Sequence, residues 1–147
     1  MSAPKVLFVC VENSCRSQMA EGFARALGSS RIEAFSSGSK PSGVVNPRAT
    51  EFMKEAGIDI SKQSSKGLDA LPPGEWDALV TMGCGDACPQ LPAKRRLHWA
   101  LPDPKNLSDD EFRRIRDEIR DRVAVLVTEL IAAAPKPYPS YGAPEPD

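Results

Sequence analysis

Residue types with chemistry to offer gather in three places along the chain. The stretch VLFVCVENSCRSQMAE, residues 6–21, ends an apolar run on Cys10 and places Arg16 and Ser17 just beyond it. GCGDACP, residues 83–89, carries Cys84 and Cys88, and LPDP, residues 101–104, holds Asp103 between two prolines that fix its loop. A loop that runs from a strand end into a helix start turns successive backbone N–H groups inward, and the positive end of the helix dipole adds to them; together they make a nest for a small oxyanion. Val11, Glu12, Asn13, Ser14, Cys15, Arg16 and Ser17 would line that nest. The Cys-x5-Arg spacing sets a sulfur nucleophile at its floor and a planar, permanently charged, bidentate clamp at its rim. Such a field favours negative charge on sulfur as it does on a bound anion. Ser17 can donate to that thiolate, and Asn13 tolerates a tight-turn conformation that most residues resist. A bare Cys-x5-Arg pattern has little specificity, but the strand before it, the helix after it and Ser17 beside Arg16 give it some. Cys10 as a plain core thiol would leave the polar loop unexplained.

The elements that must position these residues alternate between strand and helix. KVLFVC (5–10) is a continuous apolar run of the kind found in a strand buried on both faces. SQMAEGFARALG (17–28) sets Met19, Ala20, Phe23, Ala24 and Leu27 on one helical face before a Gly stop. RIEAFSSG (31–38) reads as a second strand. NPRATEFMKEAG (46–57) reads as a helix with Asn46 as its cap, Pro47 at its first position and Gly57 at its end. WDALVTM (76–82) is a third strand and RRLHWAL (95–101) a short fourth. The longest helix starts at a Ser108/Glu111 capping box, and Phe112, Ile115, Ile119, Val123, Leu126 and Leu130 repeat at helical spacing to about Ala134. Its charged face is a solvated one with i,i+4 pairs such as Glu118 to Arg122. The alternation predicts an α/β fold: a single three-layer domain with a four-stranded parallel sheet and helices on its faces. Ligands of such sheets bind beyond the C-terminal strand ends, where strand order reverses. With the first strand central and the third beside it, Cys10 and Cys84 emerge on one rim.

Composition narrows the partners. The chain has 147 residues, enough for one domain that buries about 70% of its unfolded surface. Residues 1–134 are expected to form it, with the five-proline stretch PKPYPSYGAPEPD, 135–147, as a mobile tail. Nineteen Lys and Arg against twenty Asp and Glu leave a net charge of −1 and no basic block, so no nucleic acid is expected and any bound anion should be small. The apolar stretch after MSAPK is too short for a leader or a membrane span, which points to a cytoplasmic protein without a membrane partner. A monomer is expected. Four cysteines in a reducing compartment are reactive or metal-binding rather than structural disulfides.

These motifs resemble the arsenate reductase branch of the low-molecular-weight protein tyrosine phosphatase family, the thioredoxin-coupled kind, over nearly the whole chain to about residue 134. VLFVCVENSCRSQMAE is similar to the phosphatase loop, SQMAE looks like the reductase branch, and VTMGCGDACP and LPDP carry the rest. The resemblance implies Cys10 as nucleophile, Arg16 as oxyanion clamp and Asp103 as general acid. It implies a reductase in which a second cysteine, Cys84, attacks the Cys10–arsenic adduct, expels arsenite and leaves a disulfide that Cys88 carries outward to thioredoxin. No bound cofactor is implied. Cys84 and Cys88 are within reach of a disulfide after local rearrangement, and Gly83 and Gly85 lower its strain. Cys15 is off this relay and reads as structural.

Two departures stand out. Glu12 occupies a position where the phosphatases carry Gly, and it is expected to point away from the anion. Some thioredoxin-coupled reductases hold a potassium ion beside this loop. By resemblance its surroundings fall at Asn13, Glu21, Ser36 and SKQSSKG, where Lys66 stands at the acidic position and would act as a built-in cation paired with Glu21. Three other readings remain: a tyrosine phosphatase, although KN follows Asp-Pro where aromatic residues would stack on a substrate ring; a zinc site from the four cysteines and His98, whose spacings match no common structural site; and a redox-sensing binding protein, which has no use for Asp103. His98 itself reads as a packed or surface residue.

Overall fold

A computed structural model of the chain describes residues 3–83 and 89–133. In chain order the elements are β1 (Lys5–Cys10), α1 (Arg16–Gly28), β2 (Glu33–Gly38), α2 (Pro47–Glu55), β3 (Ala78–Thr81), β4 (Arg96–His98) and α3 (Asp109–Ala133). The strands form one parallel sheet in the order β2-β1-β3-β4, so strand order reverses at β1. β1 is one of the two inner strands, and its run of Val6, Leu7, Phe8 and Val9 is wholly buried, as a strand covered on both faces requires.

Alternation along β1 divides the core. Val6, Phe8 and Cys10 face a large cluster to which all three α-helices contribute, through Met19, Ala20 and Phe23 of α1, Phe52 and Met53 of α2, and Phe112, Ile119 and Val123 of α3. Leu7 and Val9 face a smaller cluster with Trp76 and Leu79, covered by Phe35, Leu71 and Leu91. Sequence reading placed helices on both faces. Among the described residues the α-helices share one face, and the outer layer over the other is chain that includes a 3-10 turn, Leu68–Ala70, with Trp76 edge-on to Phe35 at 5.2 Å. Trp76 and the neighbouring leucines supply there the apolar cover that a helix would otherwise provide.

Local signals account for the helix ends. The Asn46 side chain accepts from the Arg48 N–H at 2.9 Å, with Pro47 at the first helical position. Ser108 Oγ accepts from the Glu111 N–H at 3.2 Å, and its hydroxyl lies 3.1 Å from the Glu111 carboxylate. All six apolar positions named in α3 are buried, and Arg122 pairs with Glu118 at 2.7 Å. One core assignment fails: Leu27 is 48% exposed, while Ile32, just beyond the helix, is buried and packs against Gly28 at the end of α1. Among the described residues no helix is long and apolar enough to cross a membrane.

Candidate active site

The site forms where β1 ends. Cys10 closes the strand, and the chain turns through residues 11–15 before α1 begins at Arg16. Asn13 takes a positive φ of 51°, the left-handed turn its short polar side chain permits. Gly38, at the end of β2, lies so close under this turn that a Cβ there would meet the Val11 carbonyl at 2.6 Å. Cys15 is the N-cap of α1 and supplies no side-chain cap, so the first-turn N–H groups are not satisfied by a capping side chain and can serve an oxyanion.

A chain of hydrogen bonds runs to the sulfur. Gln63 Nε2 donates to Gln18 Oε1 at 2.8 Å, and Gln18 Nε2 donates to Asn13 Oδ1 at 2.9 Å. The Lys66 N–H also donates to Asn13 Oδ1, at 2.9 Å. With its oxygen thus engaged, the Asn13 amide presents Nδ2 to Ser17 Oγ at 2.7 Å. Ser17 Oγ accepts that bond, which leaves its own proton available to a thiolate at Cys10 Sγ, 2.9 Å away. Asn13 and Ser17 are fully buried and Cys10 nearly so, which strengthens each link. Sequence reading found Asn13 and Ser17 but not Gln18 or Gln63; Gln18 had a local signal, lying next to Ser17 on the first turn of α1.

Arg16 lies over the same pocket. Its Nη1 donates to the Leu101 carbonyl at 2.9 Å, its Nη2 stands 3.9 Å from Asp103 Oδ2, and among the described residues its buried Nε has no partner. A Cβ at Gly83 would overlap Arg16 Nη1, and Gly83 has a φ of 88°, so glycine is required there on both counts. Gly83 is the last described residue before Cys84. Cys84 and Cys88 themselves lie outside the described residues, as does the tail 134–147. Asp103 Oδ1 accepts from the Lys105 N–H at 3.1 Å, capping a short 3-10 turn, Pro104–Asn106, and leaving Oδ2 toward Arg16.

Cys15 is buried near the start of α1. It packs in the main core cluster, and burial, with the Asp103 carboxylate adding to it, pushes its thiol up to about 12. It stays a neutral thiol at neutral pH. Glu12 turns to the rim, where Lys105 Nζ lies 3.1 Å from both of its oxygens. Val11 and Ser14 sit in the loop itself, Val11 packing on the smaller cluster and Ser14 buried. Lys66 Nζ lies 3.6 Å from Glu21 Oε1 and 3.4 Å from Ser36 Oγ; Glu21 also pairs with Arg25 at 2.6 Å. His98 is exposed, its Nδ1 3.0 Å from Thr81 Oγ1 on the neighbouring strand. Among the described residues no group of three or more His, Cys, Asp or Glu side chains is arranged to hold a metal ion.

Comparison with known proteins bears on this geometry. A glutaredoxin arsenate reductase of Synechocystis is 40% identical over 129 residues, covering 86% of this chain and 98% of the relative. A solved arsenate reductase in its phosphate binding state superposes with a TM-score of 0.78 at 38% identity, covering 86% of this chain and 98% of that one. A thioredoxin-dependent arsenate reductase of Corynebacterium glutamicum superposes with a TM-score of 0.74 at 34% identity, covering 90% of this chain and 64% of that one. The profile of the low molecular weight phosphotyrosine protein phosphatases matches residues 5–135, and the chain belongs to that family.

Proposed function

We propose that this protein reduces arsenate to arsenite in the cytoplasm, as a monomer, with thioredoxin as its reductant and a weak phosphatase activity at the same site. The single observation that carries the reading is the buried bond from Ser17 to Cys10 Sγ under the Arg16 guanidinium, a geometry suited to a thiolate facing a tetrahedral oxyanion. Relatives near 40% identity that bear the name arsenate reductase support this substrate over a phosphate ester.

The reaction begins when the Cys10 thiolate attacks arsenic. An arsenic–oxygen bond breaks, and Asp103 supplies the proton that lets the oxygen leave as water. Arg16 and the loop N–H groups hold the remaining oxygens. Cys84 then attacks Cys10 Sγ: the sulfur–sulfur bond forms, the sulfur–arsenic bond breaks, and its electron pair leaves on arsenic as arsenite. Cys88 attacks Cys84, which frees Cys10 and leaves a Cys84–Cys88 disulfide for the reductant's dithiol. The outward step has a steric reason: a pocket sized for a small oxyanion cannot admit another protein's active-site loop. No bound cofactor enters the scheme.

The test is arsenate-dependent NADPH oxidation with thioredoxin and its reductase, run beside hydrolysis of an aryl phosphate. Cys10→Ser should abolish both activities. Cys84→Ser should stop reduction and spare hydrolysis, which water completes. Cys88→Ser should allow about one turnover and leave a Cys10–Cys84 disulfide visible in peptide mass spectra. Continued turnover in Cys88→Ser would overturn the relay, and activity in Cys10→Ser the whole scheme.

A further inference from the structure

A carboxylate inside an anion-binding loop requires compensation. Glu12 stands two residues beyond the nucleophile, and its backbone cannot drift away: its carbonyl accepts from the Ser42 N–H at 3.0 Å and from Ser65 Oγ at 3.0 Å. The cation that meets it comes from the far side of the pocket mouth. Lys105 Nζ lies 3.1 Å from each Glu12 oxygen, although the two residues are 93 positions apart in sequence. Its backbone is held as firmly, since Arg48 Nη1 donates to the Lys105 carbonyl at 3.0 Å while Arg48 Nη2 holds Asp109 at 2.8 Å. The N–H of the same Lys105 orients Asp103. Both side chains are about one third exposed.

We propose that Lys105 is a specificity-determining residue of the oxyanion site, its ammonium cancelling the Glu12 carboxylate at the rim and tying the nucleophile loop to the Asp103 loop. The inference rests on the oxyanion reading given above. Among the described residues Arg16 faces Asp103 at 3.9 Å and Lys105 faces Glu12 at 3.1 Å, so each of these cations has a carboxylate opposite it. An incoming dianion meets a Glu12 carboxylate already paired with an ammonium. Without Lys105 it meets an uncompensated carboxylate on the nucleophile loop itself, and at a mouth where that side chain is only about one third exposed the repulsion is screened less than in bulk water. The Glu12 carboxylate holds Lys105 above the usual lysine range, so the ammonium persists at every pH at which the enzyme would work. A tie of this kind also spans the gap between the two loops that flank the pocket, which suits a bare oxyanion better than an ester carrying a bulky group.

The experiment is a double-mutant cycle read by calorimetric binding of inorganic phosphate to the full chain. Lys105→Met should weaken phosphate binding about tenfold, the scale of one unpaired charge near an anion at intermediate dielectric. Glu12→Gln should bind at least as tightly as the unmodified protein. The double variant should return to within about twofold of it, because the charge that needed cancelling is gone. Lys105→Arg should keep most of the affinity, and Lys105→Gln replaces Lys105→Met if the latter does not fold. A double variant as weak as Lys105→Met would overturn charge compensation, as would unchanged binding in Lys105→Met. If the unmodified protein binds no phosphate, the oxyanion reading itself fails; if it binds and the cycle is flat, only the role of Lys105 does.

Discussion

Two glutamate–lysine pairs flank one loop and do different work. Glu12 and Lys105 meet at the rim, both about one third exposed, and among the described residues neither has another ionic partner. Glu21 is almost wholly buried between α1 and β2, and it takes Arg25 at 2.6 Å, Lys66 at 3.6 Å and the Ser36 hydroxyl at 2.5 Å. Burial explains the difference in partner number. A carboxylate removed from water must be satisfied on both oxygens, whereas one at the rim can leave part of its demand to solvent. The inner pair therefore holds the scaffold, and the outer pair acts on what approaches the pocket.

The sharpest way to break this contrast is to delete each carboxylate in turn. Glu21→Ala strands a buried hydroxyl and two cations, and should cost about 3 kcal/mol in urea unfolding, the lower end for breaking a buried pair because Arg25 can reach water. Glu12→Ala should cost less than about 1 kcal/mol, as expected of a solvent-screened pair. Equal losses at the two sites would remove the distinction between scaffold and rim.

Lys66 gives the next largest effect. Its ammonium stands beside Glu21 and Ser36 where, by family resemblance, some relatives hold potassium, and its side chain is 24% exposed. Lys66→Ala should lose about 1 kcal/mol, discounted for that exposure. If the lysine serves as a tethered cation, kcat/KM for arsenate in the unmodified enzyme should not change when potassium replaces sodium at fixed ionic strength. Lys66→Ala should then respond to potassium. Strong potassium activation of the unmodified enzyme would place the ion site elsewhere and make Lys66 an ordinary loop residue.

What could be read from sequence follows the range of the interactions. β1, the turn at Asn13, the Ser17 donor and the helix caps are encoded within a few residues of one another, and periodicity exposes them. The central position of β1 followed from its unbroken apolar run. Lys105, by contrast, reaches Glu12 across 93 positions, and Gln63 reaches Gln18 across 45. No local pattern marks either, because exposed lysines and loop glutamines are common and only the packed fold selects the one that matters. Leu27 fails for a related reason: helical spacing cannot tell where the packed face ends along α1, and Leu27, one residue before the helix ends, is 48% exposed. The three-layer α/β arrangement was legible from the alternation; what it could not show is that, among the described residues, Trp76, Leu71 and Leu91 supply the cover on the second sheet face.

A third carboxylate sharpens the comparison by separating exposure from partner number. Glu55, at the end of α2, is exposed like Glu12 but holds two guanidinium groups of α3, Arg113 at 3.0 Å and Arg116 at 2.6 Å. The hydrogen bonds from Arg113 and then Arg116 pull its carboxyl from 4.5 down to about 2. The folded value lies below the unfolded one, so the contribution to stability is complete above about pH 4.5 and is lost as pH falls toward 2. Glu55→Gln should lower Tm slightly at pH 6, and the gap between the two proteins should close between about pH 4.5 and 2. Added sodium chloride should narrow the gap at pH 6 in part, since Glu55 and Arg113 reach solvent while Arg116 is buried. A gap that stays constant down to pH 2 would mean that the glutamine disturbs packing between α2 and α3, and that two charged partners give an exposed carboxylate no more hold on the fold than one gives Glu12.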